Sequence, residues 1–143
     1  EIGSGLVGSE MCIRDRVILT KENEGKHFAI VDAAMNDLIR PALYSSWMNI
    51  INLDEASDQE IKNYDIVGPI CETGDFLGKD RELALTSGDY LAVTHAGAYG
   101  FVMASNYNSR GRAAEVLLVG EQAKLIRERE TEESLYAHEL NLL

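Results

Sequence analysis

The stretch Tyr64-Asp65-Ile66-Val67-Gly68-Pro69-Ile70-Cys71-Glu72-Thr73-Gly74-Asp75-Phe76-Leu77-Gly78 decides how this chain is read. Residues 64–70 form an apolar run of strand length. Gly68-Pro69 and Gly74 then mark a tightly shaped loop. On that loop a thiol is followed directly by a carboxylate, Cys71-Glu72. Cys71 is one of only two cysteines in the chain, and the glycines and acids from Gly74 to Asp80 read as a continuation of the loop.

The same alternation of short strand and turn extends in both directions. Residues 17–21 and 27–31 read as a β-hairpin about Asn23-Glu24-Gly25. Residues 45–52 read as extended, and 54–62 as a polar loop. Ser87-Gly88-Asp89 is a turn before a strand at 90–94, with His95 placed in that strand. Gly97-Ala98-Tyr99-Gly100 is a small-residue bend leading to a strand at 101–104. A polar connection at 106–112 precedes a hairpin of 114–119 and 123–126 about Gly120-Glu121. Between residues 32 and 44, Asn36-Asp37 caps a helical turn that Pro41 interrupts, because the residue before a proline is driven out of the α region. Arg40 therefore falls at a break. The charge run at 127–133 is a solvated face, and residues 132–143 have the composition of a terminal helix. Short strands with turn signals every ~8–12 residues predict a mainly β barrel or sandwich with short helices.

Composition bounds the function. The chain has 143 residues, 45% of them hydrophobic and 26% charged, which is the balance of one folded domain. A net charge of −11 argues against a sequence-independent nucleic-acid surface, since few cations are available to neutralise phosphates. No apolar run approaches the ~18–20 residues of a membrane-spanning helix. Cys12 and Cys71 cannot build a disulfide framework, which favours a reduced, cytoplasmic setting. No histidine has metal-ligand spacing, so no metal is expected.

Residues 1–16 stand apart. They begin with Glu1, show no helical or strand period, and resemble translated sequencing-adapter tails. They are set aside as a non-native segment, Cys12 with them, and the domain is placed at 17–143.

Three blocks then carry a resemblance: residues 31–44 (VDAAMNDLIRPALY), 67–75 (VGPICETGD) and 96–109 (AGAYGFVMASNYNS). In this order and spacing they resemble the C-terminal part of the diaminopimelate decarboxylases. These belong to the alanine-racemase-like, fold-type III class of pyridoxal-phosphate decarboxylases, which includes the ornithine and arginine enzymes. The resemblance implies a β domain that normally follows a TIM-type barrel. The barrel carries the lysine that forms the Schiff base and a glycine-rich phosphate cradle, and neither has a counterpart among Lys21, Lys26, Lys62, Lys79 and Lys124. The expectation is a piece of a larger enzyme, inactive alone.

The resemblance also implies a reaction and roles. The reaction is α-decarboxylation of meso-diaminopimelate to L-lysine and CO2 by a cytoplasmic homodimer with shared active sites, the last step of lysine biosynthesis. Cys71 is the proton donor, acting across the dimer interface; an ordinary thiol, with a pKa near ~8.5, is protonated at neutral pH. Glu72 meets a substrate ammonium. Arg40 holds a substrate carboxylate through its planar fork, with Tyr44 adding a hydroxyl. Tyr99 lies over pyridoxal phosphate and donates to its phosphate. Asp75 organises the loop, Asn106, Tyr107 and Asn108 satisfy backbone groups, and Arg110 and Arg112 pair with the acidic surface. Two other readings are carried alongside: a related decarboxylase for ornithine, arginine or carboxynorspermidine, and a non-catalytic β domain that binds a partner. Arg40 separates the first of these, since a polyamine precursor has no distal carboxylate.

Overall fold

The computed structural model describes residues 12–54, 59–97 and 99–139. Its centre is a six-stranded sheet built from β1 (Ile13–Asn23), β2 (Lys26–Val31), β3 (Ile50–Asn52), β4 (Lys62–Val67), β5 (Phe76–Leu83) and β6 (Tyr90–Val93), in the order β3-β6-β1-β2-β4-β5. Only the β2–β4 pairing is parallel; the others are antiparallel. The sheet curls until its two edges approach, with the Ile50 side chain on β3 facing Gly78 on β5, and so forms a nearly closed barrel. Inside lie Val17, Ala29, Val31, Leu38, Ile66, Leu77, Leu91 and Val93, all effectively inaccessible to solvent. The mainly β barrel expected from the turn spacing is the architecture found.

Local chemistry accounts for the elements. The β1–β2 hairpin turns at Glu24 and Gly25, both at positive φ (51° and 78°). That is the type I′ geometry whose twist matches paired strands. Strand β1 begins at Ile13, so residues 13–16, expected to lie outside the fold, pair with β6. Residues 1–11 lie outside the described residues.

Other expectations are corrected. Pro41 does not interrupt a helix; it starts one. Helix α1 (Arg40–Tyr44) carries Pro41 in its first turn, where the missing N–H would be unpaired in any case. The helix stops at Ser45, which is left-handed at φ 52°. Gly78, Lys79 and Asp80 belong to β5 and not to a loop, and Asp80 sits at φ 56° where the β4–β5 register shifts. Phe101 does not begin a strand: α2 (Gly100–Met103) is a single helical turn, with the Arg127 guanidinium carbon 4.0 Å from the Phe101 ring centre. His95 lies just beyond β6, at φ 62°. The second hairpin, β7 (Glu115–Val119) with β8 (Gln122–Arg127), turns at Gly120 and forms a separate two-stranded ribbon. At the C-terminal end α3 (Glu132–Leu135) is one turn capped by Thr131, shorter than expected, because little apolar surface faces it; residues 140–143, like 55–58 and Ala98 of two expected loops, lie outside the described residues. No described helix is long and apolar enough to cross a membrane.

Candidate functional site

The three sequence blocks converge on one end of the barrel, and buried polar groups hold them there. Asp75, at the start of β5, is 4% exposed. Its Oδ1 accepts the Met35 N–H at 2.7 Å and its Oδ2 accepts the Ile70 N–H at 2.7 Å. One carboxylate thus ties the 68–75 loop to itself and to the segment after β2. Gly68 donates its N–H to the Asp75 carbonyl at 3.0 Å, and an added Cβ there would collide with the Asp75 carboxylate. Within the loop the Glu72 N–H donates to the Ile70 carbonyl and the Asp75 N–H to the Glu72 carbonyl. The loop rests on Met35 and on Ala42 of α1 through Gly74.

A second buried tie runs from the third block to the first. Asn36 is 2% exposed. It donates through Nδ2 to the Ser105 carbonyl at 3.3 Å and accepts from Arg110 Nε at 3.0 Å, while its own carbonyl accepts the Ser105 N–H. Arg110 also donates to the Asp32 carbonyl and lies 4.0 Å from Asp37. Burial pushes the Asp37 carboxyl above its ordinary pKa, against the opposing pull of the Ala34 N–H bond and Arg110. Beside this network Glu130 accepts from the Arg112 N–H, the Asn106 amide and Arg112 Nη1; these bonds, the backbone one foremost, lower its pKa.

On this scaffold stand two groups of side chains, all exposed except the half-buried Arg40. One joins α1 to the residue before α2: the Arg40 guanidinium carbon lies 5.7 Å from the centre of the Tyr99 ring, close enough for cation–π attraction. Tyr44 ends the same helical turn as Arg40 and is 61% exposed. Neither the Arg40 nor the Tyr44 side chain makes an ion pair or hydrogen bond to a described residue, so both are free to meet a ligand. The other group is Cys71 and Glu72. Cys71 is exposed and unbridged. Glu72 Oε2 accepts from the Tyr107 hydroxyl at 3.3 Å, and Oε1 accepts the Gly74 N–H at 3.4 Å. Among the described residues no hydrogen bond, ion pair or ring contact joins the two groups.

The structure thus brings Arg40 and Tyr99 together, and among the described residues no contact joins them to Cys71-Glu72. Tyr107 was expected to satisfy backbone groups; its hydroxyl instead reaches Glu72, and Arg110 grips Asn36 more than the acidic surface. The signal for Tyr107, Asn36 and Arg110 was their membership in or next to the three blocks. Spacing alone did not single them out, because their contacts cross 35, 69 and 74 residues. Among the described residues no three His, Cys, Asp or Glu side chains are grouped as metal ligands.

Comparison with known proteins identifies the domain. Residues 10–97 match the model of the pyridoxal-dependent decarboxylase, C-terminal sheet domain. The diaminopimelate decarboxylase of Pseudomonas aeruginosa is 60% identical over 139 residues, 97% of this chain and 33% of that protein. The enzyme of the same name from Neisseria meningitidis serogroup B is 54% identical over 143 residues, 100% of this chain and 34% of that one. Among solved structures, diaminopimelate decarboxylase from M. jannaschii superposes with a TM-score of 0.85 at 40% identity, covering 91% of this chain and 30% of that one, and has also been solved in co-complex with L-lysine. The chain spans about one third of the length of the relatives it matches. It belongs to the pyridoxal-dependent decarboxylase family, whose C-terminal sheet domain it carries.

Proposed function

We propose that this domain completes the active site of a diaminopimelate decarboxylase, acting as a cytoplasmic homodimer that converts meso-diaminopimelate to L-lysine and CO2. The observation that carries the reading is the separation of Arg40-Tyr99 from Cys71-Glu72 on one rigid scaffold. Two half-sites that do not touch within a chain are what a two-fold dimer needs if each active site takes one half from either subunit.

The residues fit pyridoxal phosphate at one edge. An exposed phenol beside glycines, with a guanidinium over its ring, is a donor set for a phosphate oxygen, and Tyr99 would hold it there. The described lysines contact neither Arg40 nor Tyr99: Lys26 pairs with Asp65, and Lys79 and Lys21 lie over Phe76 and Phe28. The covalent anchor is therefore not among them. Pyridoxal phosphate, when bound, supplies the electron sink that makes loss of CO2 feasible.

This chain's own residues then orient and protonate. Arg40 binds the carboxylate that is retained, through two parallel N–H bonds, and Tyr44 adds a hydroxyl donor from the same helical turn. Glu72, oriented by the Tyr107 hydroxyl and the Gly74 N–H, receives the distal ammonium of the substrate. Cys71, one residue before it on the Asp75-braced loop, presents its S–H to the α-carbon from which CO2 has left, and the thiolate recovers a proton from water. Arg40 favours a substrate with two carboxylates over the polyamine precursors.

The test grafts residues 13–143, which keep β1 whole, onto the first two thirds of the Pseudomonas aeruginosa enzyme. Lysine formation from meso-diaminopimelate, lost in the Cys71→Ala graft, is expected. A graft that binds the cofactor and forms no lysine would contradict the reading. The 143-residue chain alone is expected to form no borohydride-reducible adduct with pyridoxal phosphate.

A further inference from the structure

A guanidinium that no feature of the proposed reaction uses lies on the other side of α1. Arg81, on β5, is 7% exposed, and its Nε is buried without a hydrogen-bond partner. It forms no ion pair with any described carboxylate. The group is nevertheless closely packed. The Trp47 ring lies 4.3 Å from the guanidinium carbon to the ring centre. Gly78 leaves the space it fills, since a Cβ there would come within 2.6 Å of Nε and 3.1 Å of Nη2. A cation this tightly placed has little rotamer freedom left to lose on meeting an anion.

Arg81 opens onto a cleft of about 210 Å³ between β5 and the end of α1. Lys79 lines it as a second cation, and Ser45 and Ser46 bring hydroxyls that bond to no described residue. Among the described residues no acidic side chain lines this cleft. Asp80 and Glu82 line the adjoining cavity of about 380 Å³, which shares Trp47 and Arg81. We infer that Arg81 and Lys79, with the Ser45 and Ser46 hydroxyls, form a binding site for a carboxylate, separate from the Arg40-Tyr99 and Cys71-Glu72 groups. A planar fork facing a carboxylate makes two parallel bonds, and Lys79 adds a point charge beside it. The carboxylate comes either from a small dicarboxylic acid or from an acidic side chain of a second copy of this strongly acidic chain. This inference does not rest on the proposed reaction.

Trp47 is the only tryptophan in the chain, so tryptophan emission arises from the wall shared by this cleft and the adjoining cavity, and Lys79, which lines this cleft and not the other, separates the two. Succinate titrated into the intact chain, against sodium chloride at matched ionic strength, is expected to change Trp47 emission saturably if the ligand is a free carboxylate. If it is a second copy's side chain, sedimentation is expected to show self-association that succinate competes away. In either arm Lys79→Gln, a change at an exposed position that leaves the barrel intact, weakens the effect about tenfold, and Arg81→Gln weakens it at least as much. Absence of both a saturable succinate response and succinate-sensitive self-association would overturn the site, as would a response that Lys79→Gln and Arg81→Gln leave unchanged.

Discussion

The Met35 backbone N–H donates to Asp75 Oδ1 at 2.7 Å, joining segments 40 residues apart. The other oxygen of the same carboxylate fixes the loop that carries Cys71 and Glu72. Asp75→Asn leaves one acceptor and turns the other toward a donor facing a donor, so it is expected to destabilise the chain by about 1.5–3 kcal/mol, the range for a lost charge-assisted bond at a buried site. Urea unfolding measures this. An unchanged midpoint would mean that Asp75 does not brace the loop.

Tyr107 holds Glu72 from the third block. Tyr107→Phe removes only the hydroxyl, so the fold should be kept and the aim of Glu72 lost. In the grafted enzyme the expected effect is a KM for diaminopimelate raised about three- to tenfold with kcat nearly unchanged, the size of one modest hydrogen bond. A fall in kcat alone would assign Tyr107 another role.

Arg40→Lys keeps the charge and discards the fork. If Arg40 reads a substrate carboxylate bidentately, KM rises by about tenfold or more. Full activity with lysine at this position would show that charge alone suffices and would remove the argument for a dicarboxylic substrate.

Asp15 on β1 is 1% exposed, and neither carboxylate oxygen has a hydrogen-bond partner among the described residues. Burial, reinforced by Asp32 and Asp37, raises its pKa well above the ordinary value. The folded state therefore binds this proton more tightly than the unfolded one. Stability contributed here is present below about pH 4, the unfolded value, and is lost as pH rises above it. Asp15→Ala is expected to raise the melting temperature at pH 7 and to raise it much less at pH 4. An equal gain at both pH values would contradict a buried, ionising Asp15.

The barrel was legible because its strands are short and bounded by turn residues such as Glu24-Gly25, Ser87-Gly88 and Gly120. Pairing across the barrel was less so. Lys79 and Asp80 sit next to Gly78 and read as loop, yet β4 draws them into β5, and Asp65 receives the Asp80 N–H. Phe101 reads as strand by composition, yet it lies in the helical turn Gly100–Met103 and joins no described strand. Residues 13–16 lack a period of their own and become strand by pairing with β6. Within the site, Cys71, Glu72, Arg40 and Tyr99 announced themselves by residue type and block. Asn36 and Tyr107 did not, because what they do depends on contacts made only after folding.

The most direct measurement of the proposed shared site is a mixed dimer. One graft carries Cys71→Ala; the other carries an alanine in place of the barrel lysine that anchors the cofactor. Each alone should be inactive. If Cys71 serves the neighbouring subunit, random mixing gives one complete site in every mixed dimer, and roughly a quarter of wild-type activity returns by two-fold statistics. If mixing restores none, Cys71 works within its own subunit and the account of two half-sites is wrong.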